Sequence, residues 1–376
     1  TQSGYPTRLE YTDGTSEEEP ADGLYAMMRI NGYLGYSFFF DNEGVLRYEM
    51  VLEGYGPDRI LFDGDTIITC VSNGKHARLN GLGQVEQVYD LGEYALHHDI
   101  GFGQDGEILA LAELEGSENV EDLLISIHME SGEVTQLIDF KEAMSGYYEM
   151  TRPISATDDF FWQAGEWDWI HLNSLQYMEE DDSLIVSSRE TSTIIKLKNI
   201  HGDTELDWLA GDSRFWADTP YADYCLEQEG DFVPQYGQHC VEYLYDGDEE
   251  GVYYLAIYNN NYWSLNSRDD FDLELADSVG TDLYGLGDET SQVYVYKIDE
   301  NNGTFALDSS FDVPYSSIVS NGSVYGDSGH WVVNSGVSKV FGEYDAEGNL
   351  IREFSYECDM QNYRTFKYDL TGFWFE

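Results

Sequence analysis

Positive charge is what this sequence has least of: 18 Lys and Arg stand against 73 Asp and Glu, for a formal charge of −55. A surface this acidic repels polyanions, which excludes nucleic acid and anionic membrane as partners. Long apolar runs are also missing. No stretch reaches the roughly 18 residues a membrane-spanning helix needs, so no membrane span is expected. The four cysteines, Cys70, Cys225, Cys240 and Cys358, are too few for a disulfide framework and lack zinc-ligand spacing. Only Cys225 and Cys240 lie close in sequence, the one candidate disulfide if the protein is exported. Proline is scarce at seven residues against 37 glycines, which fits many tight turns. A chain opening at Thr1 rather than Met reads as having lost a signal or anchor, so an exported location is expected.

What is present is short and β-like. Apolar runs at 36–40, 60–62, 123–127, 252–257 and 293–296 are rich in Tyr, Phe, Val and Ile and are flanked by Gly, Asn and Asp. That is the strand-and-turn signature of an all-β protein. Two hairpins alternate along the chain. One carries a turn of D-x-x-G type (DNEG at 41–44, MESG at 129–132, DENNG at 299–303, DAEG at 345–348); the other lies upstream of it, as in 171–189. Together they make a four-stranded unit at roughly forty-residue spacing, the period of propeller blades. The expected fold is a six-bladed β-propeller with blades at 57–92, 97–140, 171–211, 237–312 and 316–356. A sixth, closing blade is shared by the chain ends, with 365–368 and 373–375 joining 33–50. Residues 1–32 read as a polar extension and 33–376 as the propeller domain. Closing the ring in this way leaves no free sheet edge.

In a propeller the first strand of each blade lines the central channel, and its start shares a face with the end of the second strand. The hairpin geometry therefore brings His171 and Arg189 to one edge. His98 (with its neighbour His97), His171 and His239 open the first strands of successive blades, so all should meet at one mouth. Insertions at 141–169, 211–238 and 262–289 fall on the same face and carry many aromatic residues. Long loops around one mouth are where binding normally lives, so an aromatic-lined pocket is expected, with Trp169, Tyr236 and Trp263 as candidate substrate contacts. Asn173, the next inward residue after His171, and Asn260, at the end of a second strand, are polar candidates. His76, His128, His201 and His330 map to turns or outer strands and are expected at the surface.

The segments HHDIGF at His97, DWIHLNSLQYMEEDDSLIVSSRETSTIIKL from Asp168 and YGQHC at Tyr236 resemble the bacterial arylsulfate sulfotransferases, which need no phosphoadenosine phosphosulfate. The resemblance spans most of residues 35–376. It implies ping-pong transfer of a sulfuryl group from an aryl sulfate to a phenolic acceptor through a sulfated histidine, without cofactor or metal, in an exported bacterial protein. By motif the nucleophile falls on His239, and the sulfuryl ligands fall on His171, Arg189 and one of His97 and His98. Well-known members carry a β-sandwich that serves dimer contacts, and the residues before Gly35 are too few for one, so the oligomeric state is open. A family cystine shortly upstream of the nucleophile corresponds to Cys225, whose nearest candidate partner here is Cys240.

The chemistry asks for the same residue types. Fixed positive charge is needed where the sulfuryl group sits in flight, and a guanidinium such as Arg189 keeps its proton at any working pH. A neutral His239 can attack sulfur through one ring nitrogen while a hydrogen bond at the other fixes its tautomer. His171 or His98 can carry the phenol proton. An ordinary histidine pKa of about 6.5 predicts that activity falls below roughly pH 6. Two other readings fit the pattern: a metal-dependent propeller lyase or hydrolase using His98, His171 and His239, and a non-catalytic binding module.

Overall fold

A strand flanked by neighbours on both faces must be apolar on both, and the strand Ser183–Ser188 shows how this chain does it. All six of its residues are buried. Leu184 and Val186 join one hydrophobic cluster with Leu109, Leu172 and Leu175, while Ile185 turns to the other side and joins Ile194, Val241 and Leu255. Successive side chains on a strand point to opposite faces, so each sheet is packed between the sheets before and after it. That is the packing of propeller blades, and it explains why the strands read as short continuous apolar runs.

The structure, a computed structural model, describes residues 2–33, 35–51, 59–72, 74–273, 283 and 289–373. Its strands form six sheets arranged as a six-bladed β-propeller, antiparallel except where Glu227–Glu229 pairs in parallel with Thr304–Pro314 at the edge of one of them. The first blade runs from Leu61–Asp63 to Val85–Asp90, the second from Tyr94–Phe102 to Val134–Asp139, and the third from Leu172–Met178 to Glu205–Gly211. The fourth begins at His239–Asp246 and ends at Thr304–Pro314, and the fifth spans Asn321–Tyr325 to Leu350–Ser355. The sixth takes its innermost strand, Asn362–Tyr368, from late in the chain and its other three, Leu24–Ile30, Tyr36–Phe40 and Leu46–Val51, from early in it. The expected shared closing blade is therefore present.

Two differences concern the early residues. The stretch expected as a polar extension, 1–32, supplies the second strand of the closing blade, in which Ala26 pairs with Phe366 and Met27 with Thr365. Ahead of it, Glu10–Asp13 adds an outer fifth strand to the fifth blade, and Tyr5 is buried with its ring stacked on Phe38 at 4.3 Å. Both additions cover edges that would otherwise be open for pairing. The further closing strand expected at 373–375 lies, past Phe373, outside the described residues.

The insertions fold into a cap of short helices, Phe140–Ala143, Ser145–Tyr148 and Ser213–Trp216. Of their aromatic residues, Phe160 and Trp162 reach a cavity at the channel mouth, whereas the three expected as substrate contacts do not. Trp169, Tyr236 and Trp263 are buried in one cluster with Tyr147, Phe215 and Trp216. Each polar end is satisfied inside the protein: Trp169 Nε1 donates to Asp122 at 3.1 Å, Trp263 Nε1 to the Glu190 carbonyl at 2.9 Å, and the Tyr236 hydroxyl to Asp212 at 3.1 Å. They fasten the cap to the propeller rim, so the substrate-contact role expected of these three is corrected to a structural one. The Cys225–Cys240 pairing is corrected too, since no disulfide joins them. Cys225 lies beside Leu209 on the outermost strand of the third blade, whereas Cys240 is buried on the innermost strand of the fourth with Ala26 and Phe366. His76 and His330, expected at the surface, are buried.

Candidate active site

At one mouth of the channel a cavity of about 340 Å³ is lined by His98 and Glu121 from the second blade and by His171 and Arg189 from the third. His239 of the fourth blade also lines it, as do Val319 before the fifth and Tyr363 and Arg29 of the closing blade. The expected convergence of histidines and arginine is thus met by geometry. His98 and His171 lie edge to face with ring centroids 4.9 Å apart, and the Tyr363 ring is 5.4 Å from His98 and 6.1 Å from His239. Phe160 and Trp162 of the cap supply the aromatic wall, and the Arg189 guanidinium lies 4.4 Å over the Phe160 ring.

The backbone is bent to make this possible. Arg29, His98, Glu121, His171 and Val319 all adopt left-handed φ between 45° and 59°, uncommon outside Gly, Asn and Asp. Register shifts at Leu172/Ser174 and between His239 and Glu242 break the ladder beside His171 and His239. Such bulges re-aim side chains, and strained residues of this kind concentrate at functional sites. Gly237 belongs to the same device. Its φ is +59°, and a Cβ there would sit 1.9 Å from the Tyr262 carbonyl oxygen, so only glycine lets the chain pass and present its own carbonyl to His239.

The tautomer of His239 follows from its partners. Nδ1 lies 3.1 Å from the Gly237 carbonyl and 2.8 Å from Asn260 Oδ1. The Asn260 amide cannot be the other way round, because its Nδ2 donates to the carbonyls of Ser316 at 2.6 Å and Val319 at 3.0 Å. Both groups facing Nδ1 are acceptors, so Nδ1 carries the proton and Nε2 keeps its lone pair. Burial pushes the His239 pKa well below the ordinary value; the Asn260 bond opposes this, and the charges of His171, Arg189 and Arg364 add to it. His239 is a neutral, oriented base.

His171 is the opposite case. Its Nδ1 lies 2.7 Å from Asp168 Oδ2 and 2.6 Å from Glu121 Oε2. Burial and the Arg189 charge disfavour its imidazolium, but the two carboxylates outweigh them and raise its pKa to about 9. Burial alone would raise Glu121, yet His171 and His98 hold it well below the usual carboxylate range. Arg189 is braced at 3.3 Å by both Asp168 and Glu190, and Glu190 Oε1 accepts the Asn266 and Ser267 amides of the cap. The mouth thus holds an imidazolium and a guanidinium beside a neutral imidazole.

Of the pair left open by the sequence, His98 lines the cavity. His97 stands behind it, its Nδ1 2.8 Å from that of His98. Burial lowers the pKa of both, and well below the ordinary value for His98. Asn173 is fully buried and donates to the Gln238 carbonyl at 2.8 Å, so it braces the fourth blade. Asn260 is likewise fully buried and acts on His239; both are corrected from substrate contacts to positioning residues. The sequence reading missed Arg29, Glu121, Phe160, Asp168, Glu190 and Tyr363. Asp168 and Glu190 sat in plain view, three residues before His171 and next to Arg189, whereas nothing local marks Glu121 or Arg29.

Among the described residues, metal-ligand atoms cluster at the mouth in two sets, His97, His98 and Glu121, and Glu121, Asp168 and His171. The set expected of a metal-dependent reading, His98, His171 and His239, is not one of them. An ion on the second set would compete with Arg189 for Asp168 and with the proton on His171.

The sequence model of the Arylsulfotransferase (ASST) family matches residues 11–368, nearly the whole chain. The protein therefore belongs to the arylsulfotransferase family, and its class is that of sulfotransferase enzymes acting on aryl compounds. A search of the curated proteins returns no match. Among solved structures, a 6-phosphogluconolactonase candidate from Bacteroides fragilis is 11% identical, with 93% of this chain and 100% of that one covered and a TM-score of 0.48. A functionally unknown protein from Desulfotomaculum acetoxidans is 9% identical (92% and 98% covered, TM-score 0.46). A catalytically inactive virginiamycin B lyase from Staphylococcus aureus, solved with quinupristin, is 10% identical (92% and 88% covered, TM-score 0.43). Likeness at this level carries no chemistry to the present chain.

Proposed function

We propose that the protein moves a sulfuryl group from an aryl sulfate to a phenol in two displacements through a sulfated His239, with no nucleotide donor. The observation that carries this reading is the tautomer of His239: its protonated Nδ1 is held by Gly237 and Asn260, and its free Nε2 belongs to the ring that lines the cavity with Arg189 and His171.

In the first displacement the Nε2 lone pair forms the N–S bond while the ester S–O bond breaks. The bonding pair leaves on the phenolate oxygen, which takes the Nε2 proton of His171. Arg189 and the His171 imidazolium hold the sulfuryl oxygens and offset the negative charge that develops on the departing oxygen. In the second displacement an acceptor phenol gives its proton to the now neutral His171 as its oxygen attacks sulfur, and the N–S pair returns to His239. A His171 pKa of about 9 lies close to that of a phenol, about 10, so the proton can move either way with little driving force lost. Export of the protein is part of the same proposal, since a strongly acidic surface keeps it dissolved in a salty exterior.

The test is mass spectrometry of the protein after exposure to 4-nitrophenyl sulfate without acceptor. A sulfonate adduct on the peptide containing residues 238–240, absent from His239→Asn, is the expected result. An unmodified wild-type protein that still turns over with acceptor would sink the two-step reading.

A further inference from the structure

Positive side chains are rare in this chain, 18 Lys and Arg in 376 residues, yet two guanidinia line the mouth cavity. Arg189 comes from the third blade. Arg29 ends the second strand of the closing blade, which in a ring of six stands directly across from the third. That opposition is already visible deeper in the channel, where Arg364 of the closing blade donates to the Asn173 carbonyl of the third at 2.5 Å. Arg189 is committed to the sulfuryl end by its braces on Asp168 and Glu190. Arg29 lies at the other end, its guanidinium 5.4 Å from the centre of the Tyr363 ring, with Asn31 and Gln361 of the same blade beside it in the wall. Its φ of 57° matches the left-handed backbone of His98 and His171, the device that turns the histidines into the mouth.

We propose that Arg29 is a specificity-determining residue that selects acceptor phenols carrying a second, anionic group away from the hydroxyl. This rests on the sulfotransferase reading of the site. With the acceptor hydroxyl at the sulfur of the modified His239, its ring lies against Tyr363 and a carboxylate on the far side of the ring meets Arg29, flanked by the amides of Asn31 and Gln361. A guanidinium pairs with a carboxylate through two parallel hydrogen bonds, which gives direction as well as strength. The net charge of the protein does not oppose this, because surface charges beyond about 8 Å are largely screened at physiological salt.

The experiment compares 4-hydroxyphenylacetate with its neutral isostere 4-hydroxyphenylacetamide as acceptors, with 4-nitrophenyl sulfate as donor. For the wild-type protein kcat/KM is expected to favour the acid by about tenfold or more, the scale of a charge-assisted hydrogen bond. Arg29→Gln should collapse that ratio to within about twofold, and Arg29→Lys should restore part of it. A wild-type ratio near one, or a ratio that Arg29→Gln leaves unchanged, overturns the proposal; equal loss on both acceptors assigns Arg29 to holding Tyr363 or the sulfuryl group instead. If neither phenol is sulfated, the sulfotransferase reading has failed. Calorimetric titration of wild type and Arg29→Gln with the same two phenols then decides the role of Arg29 alone: preferential binding of the acid that is lost in the variant supports it, and equal binding rejects it.

Discussion

Two groups of buried charge lie one above the other in the channel, and they are built differently. Below the mouth, Asp99 is ion-paired with Arg364 at 3.1 Å and accepts from Arg59 at 2.9 Å and from the Leu175 amide at 3.1 Å, while Arg59 also reaches Glu242 at 2.9 Å. Those carboxylates and guanidinia pair their charges with one another across four blades. At the mouth, by contrast, each group is held on one side only. His171 and His239 are each fixed at Nδ1 and Arg189 is braced by two carboxylates, and all three line the cavity. The same chemical groups lock a ring in one place and wait for a substrate in the other. What separates them is whether a charge meets its counter-charge within the protein or is turned toward an open cavity.

The largest effect should separate the two groups outright. His239→Asn is expected to lower turnover by about 10⁴-fold or more, as removal of a nucleophile does, while the thermal midpoint stays close to wild type. Asp99→Asn should do the reverse: leaving the buried Arg364 and the partly buried Arg59 short of their anion costs about 3–5 kcal/mol, read by urea unfolding. Asn260→Ala tests whether a positioning residue belongs to the upper group. It should lower kcat by roughly 100-fold with little change in KM, since it frees the His239 ring without touching substrate.

The pH profile sharpens the comparison further. With phenyl sulfate, whose leaving group needs a proton, turnover should fall as pH rises through about 9, where His171 loses its proton. Because the pKa of His239 is depressed, the acid limb should lie below the pH of about 6 that an ordinary histidine would give. His171→Gln should remove the alkaline limb, and a limb that stays in place would assign the proton to another group. The smallest effect on catalysis is expected from Trp169→Phe, which deletes the bond to Asp122 and shrinks a buried ring. It should cost about 2–3 kcal/mol of stability and leave KM for donor and acceptor unchanged.

The propeller was legible because its turns are repeated and its strands are packed on both faces. Leu24–Ile30 escaped because it has no D-x-x-G turn of its own and follows a polar, Glu-rich lead-in, and its partner strand lies more than three hundred residues later. His171, His239 and Arg189 were readable as strand starts and ends spaced by whole blades. His98, expected to open its strand, instead lies in the middle of Tyr94–Phe102 and is placed at the mouth by a break in the ladder there. The supporting carboxylates were not readable: Glu121 sits in a connection within the second blade, and only the folded ring brings it to His171. The aromatic insertions misled for a related reason, since a loop's composition does not say whether its rings face a cavity or one another. Tyr236 and Trp263, stacked at 5.3 Å, chose one another.

The latch of the ring is also part of its working surface. Asn362–Tyr368 hydrogen-bonds to Leu24–Ile30 and in the same stretch carries Tyr363 to the mouth and Arg364 to the channel below. During synthesis the histidines emerge from the ribosome long before residue 363 does, yet the chamber they serve lacks a wall until that strand arrives. One strand thus closes the circle and completes the chamber in the same step.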